Sequence, residues 1–179
     1  MDKENLVILN NEKVFVDQDG FHCDNLDSKV VPEELNKHYN VKYIVRKSKK
    51  KGGQNIKLSN IKIASNIFSF IEFIYETFKT KSKYLIISIT PYTFLACILL
   101  FIFRKKVFLY LWSDGHEEWQ HILGKWSVWI FHLMYLICIS RSEIIVCNRR
   151  LTKKKAHLIS ISRLEDSWFQ NHQKPSLDR

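Results

Sequence analysis

The feature that most constrains this chain is a short apolar run that ends abruptly in a polar turn. Residues 107–112 (VFLYLW) have the length and composition of a strand that is buried on both faces. Residues 113–116 (SDGH) follow, and a long apolar and aromatic segment begins soon after them. A buried strand, a polar turn with a glycine and a helix form the layout of a ligand site at the carboxyl edge of a parallel sheet. We therefore predict that function resides at this turn.

Three residues of the turn are suited to contact a ligand. Asp114 offers a hydrogen-bond acceptor, and His116 offers an imidazole that can donate or accept a hydrogen bond. Gly115 allows the backbone to reverse direction or to approach a ligand closely. Asp114 and His116 are therefore predicted as catalytic residues and Gly115 as a substrate contact. The alternative is a tight turn in which a polar side chain only caps the following helix.

Strands and helices alternate along most of the chain. Strands are predicted at residues 6–10, 41–45, 61–64, 84–89, 107–112, 143–147 and 157–160, and helices at 32–39, 67–79, 91–103, 119–140 and 163–171. Such alternation is typical of a parallel sheet that is covered by helices on both faces. The predicted fold class is α/β, with a Rossmann-like parallel sheet.

A second candidate site lies near the amino terminus. Residues 14–24 form a predicted hairpin around Asp19 and Gly20, because Asp-Gly is a strong turn signal between β-prone runs. Asp19, Gly20 and His22 crowd this turn and are predicted to bind substrate. The alternative is a plain exposed hairpin.

The longest apolar run, residues 84–103, is long enough to span a bilayer. Its first part is rich in β-forming residues, and Thr90 and Pro91 then provide a helix cap and a first helical residue. We therefore predict a strand followed by a helix. A small membrane protein with spans at residues 84–103 and 126–140 is an alternative.

The formal net charge of +10 indicates an anionic partner. An anionic membrane surface is predicted, with aromatic rings at the headgroup level and cations on lipid phosphates. The residues predicted to bind it are Lys125, Trp126, Trp129, Arg149 and Arg150. Nucleic acid is not an expected partner, because no RNA-binding motif is present. A basic nucleic-acid-binding module is nevertheless a second alternative.

Several well-known chemistries have no motif here. His116 and His121 are five residues apart, whereas a zinc-protease helix needs two histidines four residues apart. Neither glycine-rich phosphate-binding motif occurs. Neither a zinc-protease helix nor a phosphate cradle for a nucleotide cofactor is therefore predicted.

Three stretches of the chain resemble the amino-terminal half of a family 4 glycosyltransferase of the GT-B type. They are the opening LVILNNEKVFVDQDGFHCDN, the pair YLIISITPYTFLACILLFIF and KVFLYLWSDGHEEW, and IIVCNRRL followed by HLISISRLEDSWF. Asp114 and His116 match the position after the central strand where the family places acceptor or catalytic groups. Two departures are the missing glycine-rich first loop, which the hairpin turn only approximates, and Ser162-Arg163 in place of an asparagine-glycine pair.

The resemblance implies a hexosyltransferase-type enzyme that moves a sugar from a nucleotide sugar to a glycan or lipid-linked acceptor. Residues 1–172 would form the acceptor-binding domain and residues 173–179 the start of a linker. The carboxyl-terminal donor domain, which binds most of the nucleotide sugar, would be absent, so activity would need that second half. The resemblance also implies action without a metal, in the cytoplasm and peripheral to the membrane.

Overall fold

The computed structural model of the protein describes residues 3–159. The strands are β1 (Asn5–Asp17), β2 (Gly20–Cys23), β3 (Asn40–Lys47), β4 (Gln54–Ile56), β5 (Ile61–Ala64), β6 (Ser82–Ile87), β7 (Val107–Leu111), β8 (Glu143–Val146) and β9 (Ala156–Leu158). The helices are α1 (Leu26–Asn36), α2 (Ile67–Glu76), α3 (Pro91–Ile102), α4 (Gly115–Leu123) and α5 (Ser127–Arg141), with 3-10 turns at Thr77–Lys79 and Arg149–Leu151. The predicted helix 163–171 and the predicted domain boundary at residue 172 lie outside the described residues.

The strands form one mostly parallel sheet with β1 inside it. The parallel strands run in the order β5-β3-β1-β6-β7-β8-β9, and β2 and β4 add an antiparallel extension beside the end of β1. The next parallel strand along the chain, β3, pairs with one edge of β1. The later strand β6 pairs with the other edge of β1. The order therefore reverses between β1 and β6, which is the position where open α/β sheets place a ligand crevice.

Both faces of the sheet are buried, as a parallel sheet requires. Along β1, Leu6 and Ile8 belong to one apolar cluster, whereas Val7 and Leu9 belong to the other. Helix α1 packs on the first face, and α2, α3 and α5 pack on the second. The predicted Rossmann-like α/β fold is confirmed.

The apolar run 84–103 divides as predicted into a strand and a helix. Thr90 and Thr93 form a reciprocal capping box at the start of α3, and Pro91 is the first helical residue. Helix α3 has 12 residues and α5 has 15. Among the helices of the described chain, none combines the length and the apolar character that crossing a bilayer requires.

Two helix predictions are wrong in their bounds. The predicted helix 32–39 begins earlier, at Leu26, because the Asn25 side chain accepts a hydrogen bond from the backbone N–H of Asp27 at 2.9 Å and caps the helix there. Pro32 consequently lies inside the helix.

The predicted helix 119–140 is two helices. The chain breaks at Gly124, whose φ of +90° is incompatible with helix continuation and favours glycine. As a result, His121 lies in α4, Lys125 in the connection and His132 in α5.

The corner between α4 and α5 is tightly packed. Ser127 is fully buried, and its Oγ lies 2.7 Å from the carbonyl oxygen of Gly124 and 2.9 Å from that of Trp119, so its single hydroxyl proton is shared between these two acceptors. A Cβ added at Gly115 would lie 2.1 Å from the Phe131 ring, which is closer than any van der Waals contact. The missing side chain at Gly115 thus lets α5 approach the start of α4, rather than letting the backbone reverse.

Substituting Gly115 by alanine is expected to lower the free energy of unfolding by about 1–3 kcal/mol, because Phe131 must move from its buried position. Urea denaturation measures the change. Gly53→Ala is the matched control, because its added Cβ meets no atom within 4 Å and should change stability by less than about 0.5 kcal/mol. Equal stability of the two variants would contradict the close packing at Gly115.

Candidate functional site

The predicted turn lies at the carboxyl end of β7, directly before α4. Asp114 is the N-cap of α4, and its Oδ1 accepts a hydrogen bond from the backbone N–H of His116 at 2.9 Å. The capping role that was the alternative interpretation is therefore present. Asp114 can also have a second role, because its carboxylate faces the imidazole of His116.

Asp114, His116 and His132 form a chain of polar contacts. Nδ1 of His116 lies 3.3 Å from Oδ1 of Asp114, and Nε2 of His116 lies 3.1 Å from Nδ1 of His132. A carboxylate only accepts hydrogen bonds, so it favours a proton on the facing Nδ1 of His116. Nε2 of His116 is then the acceptor, and Nδ1 of His132 donates to it. In this arrangement Nε2 of His116 carries no proton and can accept one, and the Asp114 carboxylate orients the His116 ring.

Aromatic rings hold the His116 imidazole in place. The ring of Phe131 meets it edge-on at a centroid distance of 4.8 Å, and Tyr135 lies at 5.3 Å. The side chain of His116 remains 32% exposed. The imidazole is thus both fixed and accessible, which a general base must be.

These residues line one end of a groove of about 410 Å³ between α5 and the β8–β9 connection, which we name the histidine groove. Its lining comprises Asp114, His116, His132, Tyr135, Leu136, Ile139, Arg150, Leu151, Thr152, Lys153 and Lys154. Of the predicted anion-binding arginines, Arg150 lines the groove and Arg149 does not.

A second cavity of about 400 Å³ lies on the other side of the same turn. It is lined by Asn25, Leu26, Asp27, Trp112, Ser113 and Glu118, from the start of α1, the end of β7 and the first turn of α4. Its charged side chains, Asp27 and Glu118, are both acidic. The lining of the histidine groove, in contrast, carries three cationic side chains, Arg150, Lys153 and Lys154.

The residues predicted at the amino-terminal hairpin are engaged with one another. Nζ of Lys51 lies 2.6 Å from Asp17 and 3.0 Å from Asp19, and Asp17 lies 3.2 Å from His22. The hydrogen bond from Lys51 holds the pKa of Asp17 below its usual range. Gly20 has a φ of +121° in the turn.

The hairpin and the Asp114–His116 turn are separate features. Within residues 3–159, no hydrogen bond or ion pair joins the two. The roles of Asp19, Gly20 and His22 in substrate binding stay predictions.

The predicted membrane-binding residues lie at the corner between α4 and α5 and along α5. Trp126 and Trp129 are 61% and 60% exposed, and Lys125 is exposed in the α4–α5 connection. Other apolar side chains of the same two helices are also exposed, namely Ile122, Leu123, Leu133, Leu136 and Ile137. We name these seven apolar side chains, with the two tryptophans included, the α4–α5 apolar face.

Sequence reasoning placed neither His132 nor Glu12 at the candidate site. The contact between His132 and His116 can be predicted only when the helix break at Gly124 is known, because α5 folds back after this break and brings His132 to His116. Glu12 follows Asn10 and Asn11 directly after a buried strand segment, a polar signal at the carboxyl edge that could have identified it.

Glu12 belongs to a partly buried polar network beside the switch point. Its Oε2 accepts a hydrogen bond from Ser28 Oγ at 3.3 Å, and the Asn10 amide donates to Ser28 Oγ and to the hydroxyl of Tyr43. Burial raises the pKa of Glu12 above its usual range. A half-buried carboxyl group at this edge is a further candidate acid or base.

In the described part of the chain, no group of three or more His, Cys, Asp and Glu side chains is arranged to hold a metal ion. Comparison with known proteins adds no family: no family model, no curated protein and no solved structure matches the chain.

Glu12→Gln is expected to raise the free energy of unfolding at neutral pH. Because the pKa of Glu12 is raised in the folded state, ionising it costs stability; this cost is complete above the folded pKa and absent below the unfolded pKa. The gain should therefore vanish in acid, below about pH 4. Urea denaturation at both pH values measures it, with the exposed Glu72→Gln as control. A gain of the same size at both pH values would contradict this assignment.

Asp114→Asn and Asp114→Ala separate the two roles of Asp114. Asparagine caps a helix as well as aspartate, whereas alanine should lower the free energy of unfolding by about 1 kcal/mol. Both variants remove the carboxylate facing Nδ1 of His116 and should reduce the population of the Nδ1–H tautomer. Urea denaturation and nitrogen-15 shifts of the imidazole measure the two effects. An unchanged tautomer in both variants would contradict the carboxylate–imidazole contact.

Proposed function

We propose that this chain is the acceptor-binding half of a glycosyltransferase, which transfers a sugar from a nucleotide-sugar donor to a glycan or lipid-linked acceptor. One observation carries the proposal: a fixed, accessible imidazole with a carboxylate behind it stands at the carboxyl edge of a parallel sheet. The likeness of the sequence to the amino-terminal half of family 4 glycosyltransferases supports the same function.

The chemistry assigned to the site is activation of an acceptor hydroxyl. The hydroxyl would replace His132 as the partner of His116 Nε2 and give its proton to that nitrogen as its oxygen bonds to the sugar carbon. The bond from this carbon to the nucleotide diphosphate breaks, and the nucleotide leaves with the bonding electrons. Asp114 stabilises the resulting imidazolium because its carboxylate lies 3.3 Å from Nδ1.

The donor nucleotide is assigned to a second domain. The sequence contains neither of the glycine-rich phosphate-binding motifs that nucleotide-binding α/β folds carry after a strand. This supports the division of labour that the resemblance implies, with the nucleotide sugar held mainly by the other half of the enzyme.

The same proposal places the protein at the cytoplasmic face of the membrane. The α4–α5 apolar face presents two tryptophans to the surroundings, and Lys125 lies between the helices where it can meet a lipid phosphate. Exposed aromatic and aliphatic side chains of this number on neighbouring helices are typical of an interaction surface.

His116→Ala in the complete natural protein is expected to reduce sugar transfer by about 10²–10⁴-fold, because the general base is lost. The assay incubates the protein with a cellular lipid and glycan extract and a panel of nucleotide sugars, and mass spectrometry detects the added sugar. His121→Ala is the matched control, since His121 is an exposed histidine of the same helix outside the groove lining. Absence of transfer by the wild-type protein, or equal transfer by both variants, would contradict the proposal.

The double variant Trp126→Ser/Trp129→Ser is expected to weaken binding to anionic phospholipid vesicles by roughly tenfold or more, because two aromatic side chains no longer enter the headgroup region. Vesicle sedimentation measures the bound fraction. The control Phe68→Ser/Tyr75→Ser removes two exposed aromatic side chains from α2 and should bind like the wild type. Unchanged binding of the tryptophan variant would show that this face is not the membrane surface.

A further inference from the structure

The histidine groove has more positive than negative charge. Arg150, Lys153 and Lys154 line it, and Asp114 is its one acidic side chain among the described residues. Lys154 is committed to the end of α5, since its Nζ donates hydrogen bonds to the carbonyls of Ile139 (2.6 Å) and Ser140 (3.3 Å).

Arg150 and Lys153 have no such internal partner. Within residues 3–159, neither side chain forms an ion pair or a side-chain hydrogen bond. Both are exposed at the rim of the groove. The groove therefore offers the charged donors of Arg150 and Lys153 to an anion, and Asp114 is the one described carboxylate of its lining that would repel it.

The floor of the groove is apolar. Leu136, Ile139 and Leu151 line it, and the hydroxyl of Tyr135 is turned to the carbonyl of Leu151 at 3.2 Å. Leu136 is also part of the α4–α5 apolar face, so the floor continues outward along α5. A groove of about 410 Å³ has the size of a small-molecule site and exceeds what one phosphate group fills.

We propose that the histidine groove binds a phosphate monoester carried on an apolar chain. The phosphate lies against Arg150, Lys153 and the histidine pair, and the chain passes over Leu136 towards the α4–α5 apolar face. This inference rests on the proposed function for its biological meaning, because it makes the acceptor a lipid phosphate whose P–OH is the hydroxyl that gives its proton to His116 Nε2. The binding itself is independent of any sugar transfer.

The chemistry of the groove favours one phosphate over a polyanion. Arg150, Lys153 and Lys154 stand around a single cavity of about 410 Å³. An amphiphilic monophosphate satisfies both the cationic rim and the apolar floor.

The test is binding of octyl phosphate, below its micelle concentration, to the complete natural protein by calorimetry. Octyl phosphate should bind about tenfold or more tightly than inorganic phosphate and than octyl glucoside, which lack the chain or the charge. Arg150→Gln/Lys153→Gln should weaken binding about tenfold or more. Lys49→Gln/Lys50→Gln is the control, because it removes the same charge from the exposed β3–β4 connection.

Vesicles distinguish the two sources of such a phosphate. Preference for phosphatidic acid, a monoester, over phosphatidylglycerol, a diester, that disappears in Arg150→Gln/Lys153→Gln supports a membrane lipid. Binding of octyl phosphate alone supports a soluble alkyl phosphate.

The site is overturned if inorganic phosphate or octyl glucoside binds as tightly as octyl phosphate, or if the two double variants bind octyl phosphate equally. Because no donor is added, binding without sugar transfer in the separate assay would overturn the proposed function and leave this site standing.

Discussion

Burial of the parallel strands on both faces is the constraint on which the rest of the structure depends. Val7 and Leu9 of β1 pack under α2, α3 and α5, whereas Leu6 and Ile8 pack on the side of α1. A sheet held from both sides leaves only its edges and strand ends free for polar chemistry. The polar turn after β7 and the polar network after the first part of β1 both occupy the carboxyl ends of strands for this reason.

The corner between α4 and α5 determines which side chains meet at the carboxyl end of β7. Gly124 breaks the apolar segment, Ser127 fixes the corner, and the close approach of Phe131 to Gly115 sets the spacing of the two helices. His132 is thereby brought to His116 from a distance of 16 residues along the chain. Two cavities of similar volume, about 400 and 410 Å³, are lined by residues of this turn and of the first turn of α4.

Local sequence signals were sufficient to predict most strands and helices. They were insufficient to predict which side chains contact one another. Thr90 and Pro91 indicate the start of α3, and the apolar run before Ser113 indicates β7, because helix caps and apolar runs are patterns of a few neighbouring residues. Gly124 was missed because a single glycine is tolerated in a helical pattern. The close approach of Phe131 to Gly115 and the contact of His132 with His116 were not predicted, because both depend on how α5 packs against α4, which no local pattern encodes. Likewise, the hairpin acids were found, but not their pairing with Lys51.

The central claim is that His116 receives a proton from the acceptor at the carboxyl edge of the sheet. The most direct measurement is an experimental structure of the complete natural protein with an acceptor and an unreactive nucleotide-sugar analogue. The account predicts an acceptor hydroxyl oxygen within about 2.6–3.2 Å of His116 Nε2, with Asp114 still facing Nδ1. An acceptor bound only in the acidic cavity between α1 and the turn, out of hydrogen-bond reach of His116, would contradict it.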